Sequence, residues 1–289
     1  MFSSLSAQRM DYPDYAQLVA QVEKMPAFPK SVQRVVQLTS NIDVSAKEIV
    51  HVIECDPVLT VKILKVINSA FYGLSHKINS VQRAVVHIGL NTVKNLAMSV
   101  AAIGMLKNSN KADFNPSAFL LHALTTAAIS RKLAERAGLS QQEGSDCFVA
   151  GLLHDFGKVV FAEFMPERFK LALTKSKEEN VSLHLTELEF LGINHAEAGT
   201  LLAEKWGLSE LLIEAIRHHH DEPINPFGEC LFAANQICKQ LHFGNGGNPV
   251  IEAFPEAIVS RFGLSLQPLI DDFSNLDSIA KEAELFIKL

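Results

Sequence analysis

The chain is predicted to be all-α, on three observations. Helix caps recur along its length, Gly-Leu-Ser junctions separate apolar segments, and no alternating apolar–polar run flanked by hairpin turns occurs. In the junctions at 138–140, 207–209 and 263–265, a glycine can close one helix in a left-handed conformation. The serine two residues later can then cap the next helix. Gly89-Leu90-Asn91 reads the same way.

In chain order, helices are expected near 14–24, 31–40, 45–55 and 57–69. Ser45 with Glu48 forms a capping box for the third, and Asp56-Pro57 supplies a cap followed by proline at the first helical position. Further helices are expected near 80–88, 91–106, 117–136 and 145–163, the last preceded by a Ser140–Glu143 box. Val159-Val160-Phe161 has strand composition but is expected to continue the helix carrying His154. The remaining helices fall near 166–178, 195–206 (boxed by Asn194 and Glu197), 209–219, 228–241 and 250–261, with a helical tail over 265–288. A polar stretch from Lys107 to Pro116 separates an N-terminal array from a histidine-bearing half. The segments Asp221–Phe227 and Gly244–Pro249 interrupt the C-terminal third.

Composition narrows the function classes. With 48% hydrophobic and 20% charged residues among 289, the chain has ample material for a core. Its net charge is −6 and its basic residues are scattered, which argues against a nucleic-acid surface built on a basic patch. The N-terminus lacks a basic region followed by an apolar run, so no signal peptide is expected. The apolar stretch from Ala97 to Leu106 falls short of the roughly 20 residues a membrane span needs. Cys55, Cys147, Cys230 and Cys238 show no CxxC pairing and each sits among apolar neighbours, as reduced core thiols would. The expected address is the cytoplasm.

The chemistry is concentrated in Gly151-Leu152-Leu153-His154-Asp155-Phe156-Gly157-Lys158. A His-Asp doublet at the end of an apolar run asks for a partner, because a buried unpaired carboxylate is very unfavourable. Other histidines can supply one. His122 lies among apolar and small residues; His195 has Ala198, Gly199, Leu202 and Trp206 on its helical face; His219 follows Ile216, Ala215, Leu212 and Leu208 at helical offsets. His218 and His220 fall on more polar faces and could equally cap a helix C-terminus. His51, His76, His87, His184 and His242 are expected on surfaces or loops. Taken singly, an inward histidine is most often a hydrogen-bonded core residue. Several on separate helices, with an acid, are how helical bundles build metal sites.

The order His122, His154-Asp155-x-Gly-Lys158, His195, His219-His220 resembles the HD superfamily of metal-dependent phosphohydrolases. That resemblance implies a His/Asp set holding a divalent ion (Fe, Mn, Zn or Mg) whose bound water attacks a phosphoryl centre. Where the superfamily's terminal acid is expected, Asn235 stands, a neutral ligand at best. The Gly-Tyr-Pro signature of cyclic-dinucleotide phosphodiesterases is replaced by Asp221-Glu222-Pro223. Met25-Pro26-Ala27-Phe28-Pro29, Asp56-Pro57-Val58-Leu59-Thr60, Asn68-Ser69-Ala70-Phe71-Tyr72-Gly73 and Ala84 to Leu90 closely resemble the HDOD domain, the HD-related output domain of bacterial signalling proteins.

The resemblance implies an N-terminal multi-helix lobe (22–107) packed on a degenerate HD-type bundle (117–238). An extension over 1–21 would precede them and a C-terminal helical extension over 239–289 would follow. It further implies a non-enzymatic regulatory module that acts on a protein partner in a signalling pathway. A metal or small ligand, including a nucleotide, would gate it from the old catalytic cavity. No receiver or cyclic-dinucleotide domain is visible, so a stand-alone version is expected. The alternative is a live phosphohydrolase acting on a nucleotide or phosphoester. Asp155 would then hold the metal and orient the water, and Lys158 would balance phosphate charge.

Overall fold

A computed structural model describes residues 19–20, 22–23, 29–39, 45–69, 74, 76–104 and 112–287. The expected 14–24 helix, the Met25–Phe28 and Ala70–Gly73 motif residues and the 107–111 part of the linker lie largely or wholly outside this set. The described residues contain helices and no strand, as predicted.

The N-terminal array comprises α1 (Lys30–Thr39), α2 (Ala46–Glu54), α3 (Pro57–Asn68), α4 (Val81–Ile88) and α5 (Leu90–Gly104). Its motif residues act as clasps. Asp56 caps α3 by accepting from the Leu59 amide at 3.0 Å, and its other oxygen accepts from Ser31 Oγ at 2.7 Å, tying α1 to α3. That arrangement holds the Asp56 carboxyl below its ordinary value, chiefly through the Leu59 amide. Asn68 exchanges two hydrogen bonds of 2.6 Å with the Ile78 backbone, fixing the connection into α4. The Ser45–Glu48 box opens α2 as predicted. Gly89 is the exception among the junctions: the next helix, α5, begins at Leu90, so position 91 lies inside it and not at its cap. The glycine has φ 80° and ψ 157°, away from the left-handed helical region.

The second part is built around α6 (Pro116–Arg136), which packs against α7 (Gln141–Leu153), α13 (Pro226–Gln240) and α16 (Leu276–Ile287). Between α7 and α13 the chain forms α8 (Gly157–Phe164), α9 (Pro166–Glu179), α10 (Leu183–Leu191), α11 (His195–Lys205) and α12 (Glu210–Arg217). The short helices α14 (Glu256–Phe262) and α15 (Leu266–Asp271) follow α13. Ile258, Phe262, Leu269, Ile270, Leu276 and Ile279 are buried in the same core as α6, so residues beyond 255 pack against the main body. Hydrogen bonds from Thr92 and Asn95 of α5 to Gln142 and Asp146 of α7 join the two parts.

Three differences from the sequence reading affect the site. The helix expected over 145–163 is two helices, broken at His154-Asp155-Phe156; the Phe156, Lys158 and Val159 amides bond three residues back rather than four. Tertiary packing forces the break. A Cβ on Gly151 would lie 2.6 Å from Ala127 Cα, and one on Gly157 would lie 2.0 Å from the His195 carbonyl oxygen. Each glycine thus presses its helix against a different neighbour, α7 on α6 and α8 on α11. Phe156 pins the turn, its ring 5.4 Å from Trp206 and 6.4 Å from Phe119. Second, Leu183–Leu191 is a helix that the sequence reading left unassigned. Third, residues 250–255 are not helical, and the helix expected from 250 begins at Glu256. Of the cysteines, Cys147, Cys230 and Cys238 are buried as expected, but Cys55 is exposed; all four are free.

Candidate metal centre

Asp155 is the hub of the site. It is 2% exposed, and its two oxygens face different groups. Oδ1 lies 3.1 Å from His195 Nε2 and 3.6 Å from His219 Nε2. Oδ2 lies 2.7 Å from Lys158 Nζ, 3.4 Å from His154 Nε2 and 3.7 Å from His122 Nε2. His220 joins the first group, its Nε2 2.7 Å from His195 Nε2. Two sets of ligand atoms thus share one carboxylate: Asp155 with His195, His219 and His220, and Asp155 with His122 and His154.

The break after α7 makes this possible. It turns Asp155 toward α11 and α12 while His154 faces α6, from which His122 projects. His195 is the first residue of α11, directly after its N-cap Asn194 and inside the Asn194–Glu197 capping box. His219 and His220 follow the end of α12. The predicted residues His122, His154, Asp155, Lys158, His195, His219 and His220 therefore meet in one place. Asn235, on α13, lines the same small cavity with His122, Asp155, Lys158 and His220, and its Oδ1 accepts no hydrogen bond. His218 stays outside, exposed and paired with Asp221 and Glu214. His51, His76, His87 and His242 are exposed, as expected. His184 departs from expectation: it stacks on His220 with ring centroids 4.3 Å apart.

The protonation pattern is legible from the hydrogen bonds. His154 Nδ1 donates to the Gly151 carbonyl at 2.8 Å and His219 Nδ1 donates to the Ile216 carbonyl at 2.7 Å, since a carbonyl can only accept. His195 Nδ1 lies 2.5 Å from Glu187 Oε2, a buried carboxylate. In the neutral His154 and His219 rings, Nε2 is then a bare lone pair aimed inward. His195 and His219 Nε2 face one another at 3.2 Å, beside the Asp155 oxygen. His122 Nε2 and His154 Nε2 are buried without a hydrogen-bond partner. Converging lone pairs around a carboxylate repel unless a cation sits among them, so these residues fit a divalent ion.

Electrostatics agree. Burial pushes the His122 ring down to about 4, and holds His154 and His220 well below and His219 below the ordinary histidine range. These are the neutral forms that ligation requires. Burial alone would raise the Asp155 carboxyl, but the charged and hydrogen-bonding groups that face it, the Lys158 ammonium among them, hold it well below its usual range.

Glu187 is the functional residue that sequence reasoning missed. It sits on α10, fully buried, and one of its oxygens accepts from both the His195 amide at 2.8 Å and His195 Nδ1. A carboxylate behind a ligating histidine fixes the tautomer and raises its basicity. The available signal was an acid flanked by leucines in Leu183-His184-Leu185-Thr186-Glu187-Leu188, followed by Gly192 with φ 74°.

A second unforeseen element is the Gly244–Asn248 loop, which covers the centre. The Gly246 carbonyl accepts from Lys158 Nζ at 2.7 Å, and the Asn245 amide bonds the Ala118 carbonyl at 2.9 Å. A Cβ on Gly246 would lie 2.8 Å from Asp155 Oδ2 and 3.0 Å from His122 Cδ2. The space left beneath the loop is about 10 Å³, no more than one water needs.

The HDOD domain profile matches residues 25–222 of this sequence. The chain belongs to the HDOD domain family. Among curated relatives, an uncharacterized protein of Treponema pallidum (strain Nichols) is 30% identical over 252 residues, 86% of this chain and 48% of that protein. The chain thus spans about half the length of the curated relative it matches. A crystal structure of an HDOD domain protein with unknown function from Geobacter sulfurreducens superposes with a TM-score of 0.69 at 23% identity, covering 95% of this chain and 100% of that one. A protein provisionally named a phosphohydrolase, from Shewanella amazonensis SB2B, gives 0.69 at 21% identity over 96% and 99%. One provisionally named a signal transduction protein, from Marinobacter aquaeolei VT8, gives 0.69 at 23% over 96% and 66%. At these identities the likeness is one of fold. Among the described residues, no helix of this HDOD chain is long and apolar enough to cross a membrane.

Proposed function

We propose that this HDOD protein is a non-enzymatic regulatory module of bacterial signal transduction, acting through contact with a protein partner, with a divalent ion in its His/Asp centre as a structural or gating element. One observation carries this reading: the centre is closed. The Gly246 carbonyl and the Lys158 ammonium stand where a substrate would approach Asp155, and about 10 Å³ remains. Lys158 is committed to Asp155 and Gly246, so it has no free role toward a phosphate. Asn235 adds no charge. The module would comprise residues 22–238, with lobes 22–107 and 117–238 and extensions 1–21 and 239–289.

His195, His219, His220 and Asp155 would hold the ion, with His122, His154 and Asn235 lining the other side. A bound metal supplies charge and, in an open site, an acidified water. This imidazole-rich set favours zinc, iron or manganese over magnesium, which prefers oxygen ligands. The phosphohydrolase reading keeps one specific support, the intact His122, His154, Asp155 and Lys158 set with its bare Nε2 atoms. Metal analysis of protein purified without added metal, followed by a phosphodiesterase and nucleotidase panel, tests both. Metal-bound, inactive protein whose partner capture from a lysate depends on the fold supports regulation. Turnover lost in Asp155→Ala supports hydrolysis and overturns the proposal.

A further inference from the structure

A groove of about 320 Å³ is lined by α12, the start of α13 and the connector 221–225 between them. Leu211, Ala215, Phe227, Leu231 and Phe232 make its walls apolar. Among the described residues that line it, no side chain has a buried polar atom lacking a hydrogen-bond partner. Nothing in it would orient a polar small molecule, so it suits an apolar side chain.

The connector is stiffened on both sides of Ile224. Pro223 precedes it and packs on α13, where a Cβ on Gly228 would lie 3.4 Å from the proline Cβ. Asn225 follows and caps α13, accepting from the Gly228 amide at 2.8 Å. Ile224 is thereby held 94% exposed at the groove, and Leu211 of α12 is 40% exposed. Large apolar side chains left in water around an apolar groove mark a contact surface.

The charges at the groove choose the occupant. Its lining includes Glu214, Asp221 and Glu222 but no lysine or arginine. Glu214 pairs with Arg217 and His218, and Asp221 pairs with His218. Glu222 is exposed, and no described basic residue pairs with it. A phosphate would be repelled here and a cationic segment attracted. Of the candidate metal ligands only His219 borders the groove. Its ring is 1% exposed, with its nitrogens turned to Ile216 and Asp155, so an occupant touches no ligand atom.

We infer that this groove docks a basic segment of the protein partner. An apolar side chain enters beside Leu211, Ile224 and Phe227, and flanking lysines or arginines meet Glu214, Asp221 and Glu222. The inference rests on the regulatory reading and supplies the chemistry of its partner.

Fluorescence anisotropy of the full chain with labelled Leu/Lys, Leu/Glu and Ser/Lys peptides of equal length, at about 0.15 M salt, tests this. Leu/Lys should bind, and the other two should bind at least about tenfold more weakly. Ile224→Ser should weaken Leu/Lys by about tenfold, and Glu222→Lys by about threefold to tenfold. Both side chains are exposed, so far-ultraviolet circular dichroism should not change. Val86→Ser, at a 79% exposed position on α4, should leave the affinity unaltered. No binding of Leu/Lys at millimolar concentration would overturn the inference, as would equal affinity for Leu/Lys and Leu/Glu. So would affinity unchanged in both groove variants, or lowered as much by Val86→Ser. Partner capture from a lysate that survives Ile224→Ser with Glu222→Lys would overturn the groove while the regulatory reading stands. Phosphodiester turnover lost in Asp155→Ala is instead the failure of that reading, and it removes the partner on which the inference rests.

Discussion

Glu187 Oε2 accepts two hydrogen bonds from His195, one from its backbone amide at 2.8 Å and one from ring Nδ1 at 2.5 Å. A single buried oxygen therefore sets where α11 begins, which way the imidazole faces and which ring nitrogen is left for a metal. Its position at the N-terminus of α11 is also favourable for a negative charge. Removing it should disturb the centre without touching a candidate ligand.

Glu187→Ala is expected to lower zinc or manganese affinity by about tenfold to a hundredfold, and Glu187→Gln by less, because the amide oxygen can still accept. Competition titration with a chromogenic chelator measures this. Equal affinity in wild type and both variants would show that His195 is not a ligand.

The metal-free protein should lose stability as pH falls from about 6.5 to 4. In that window the unfolded chain protonates its histidines while His122, held down to about 4 by burial, and His154 and His219, also held down, stay neutral. The unfolded state then binds more protons, so stability rises with pH. The contribution is fully present above about 6.5, and His122 alone accounts for on the order of 3 kcal/mol. Urea midpoints at a series of pH values report it; a flat profile across the window would contradict the buried neutral rings.

Asn235→Asp is expected to raise metal occupancy, since it places a second carboxylate in the cavity that Asp155 and His122 line. Without metal, two buried carboxylates repel, so the same change should lower the melting temperature of the chelator-treated protein. Unchanged occupancy would mean that Asn235 is not the position of the missing acid.

Gly246→Ala should open the covering loop. The added methyl has only 2.8 Å to Asp155 Oδ2, and the expected cost is about 1–3 kcal/mol. Faster hydrogen exchange confined to residues near 244–248 is the expected readout. Exchange that rises throughout α6 and α7 would instead make the loop part of the core.

Local signals carried much of the fold. The boxes Ser45–Glu48, Ser140–Glu143 and Asn194–Glu197 all form, because a cap needs only residues three apart. The break at His154–Phe156 was hidden because its causes, Gly151 against Ala127 and Gly157 against His195, join residues far apart in sequence. Helix α10 escaped because leucines, His184 and Glu187 are distributed round it without one clear apolar stripe. The convergence of His122, His154, Asp155, His195 and His219 was legible from helical offsets. His220 was not, because its role depends on how the chain leaves α12. Glu187 and the Gly246 loop reach the centre from 32 residues after Asp155 and 91 residues after it, as position differences (187 − 155; 246 − 155), and no local pattern announces such contacts.

The most direct test of the regulatory reading is hydrolysis of a phosphodiester and nucleotide panel by the metal-loaded full chain, with Asp155→Ala run in parallel. The closed centre leads to an expected result of no turnover above that of the variant, while wild type retains stoichiometric metal and the variant loses it. Turnover by wild type that vanishes in Asp155→Ala would contradict it and make the centre an active one.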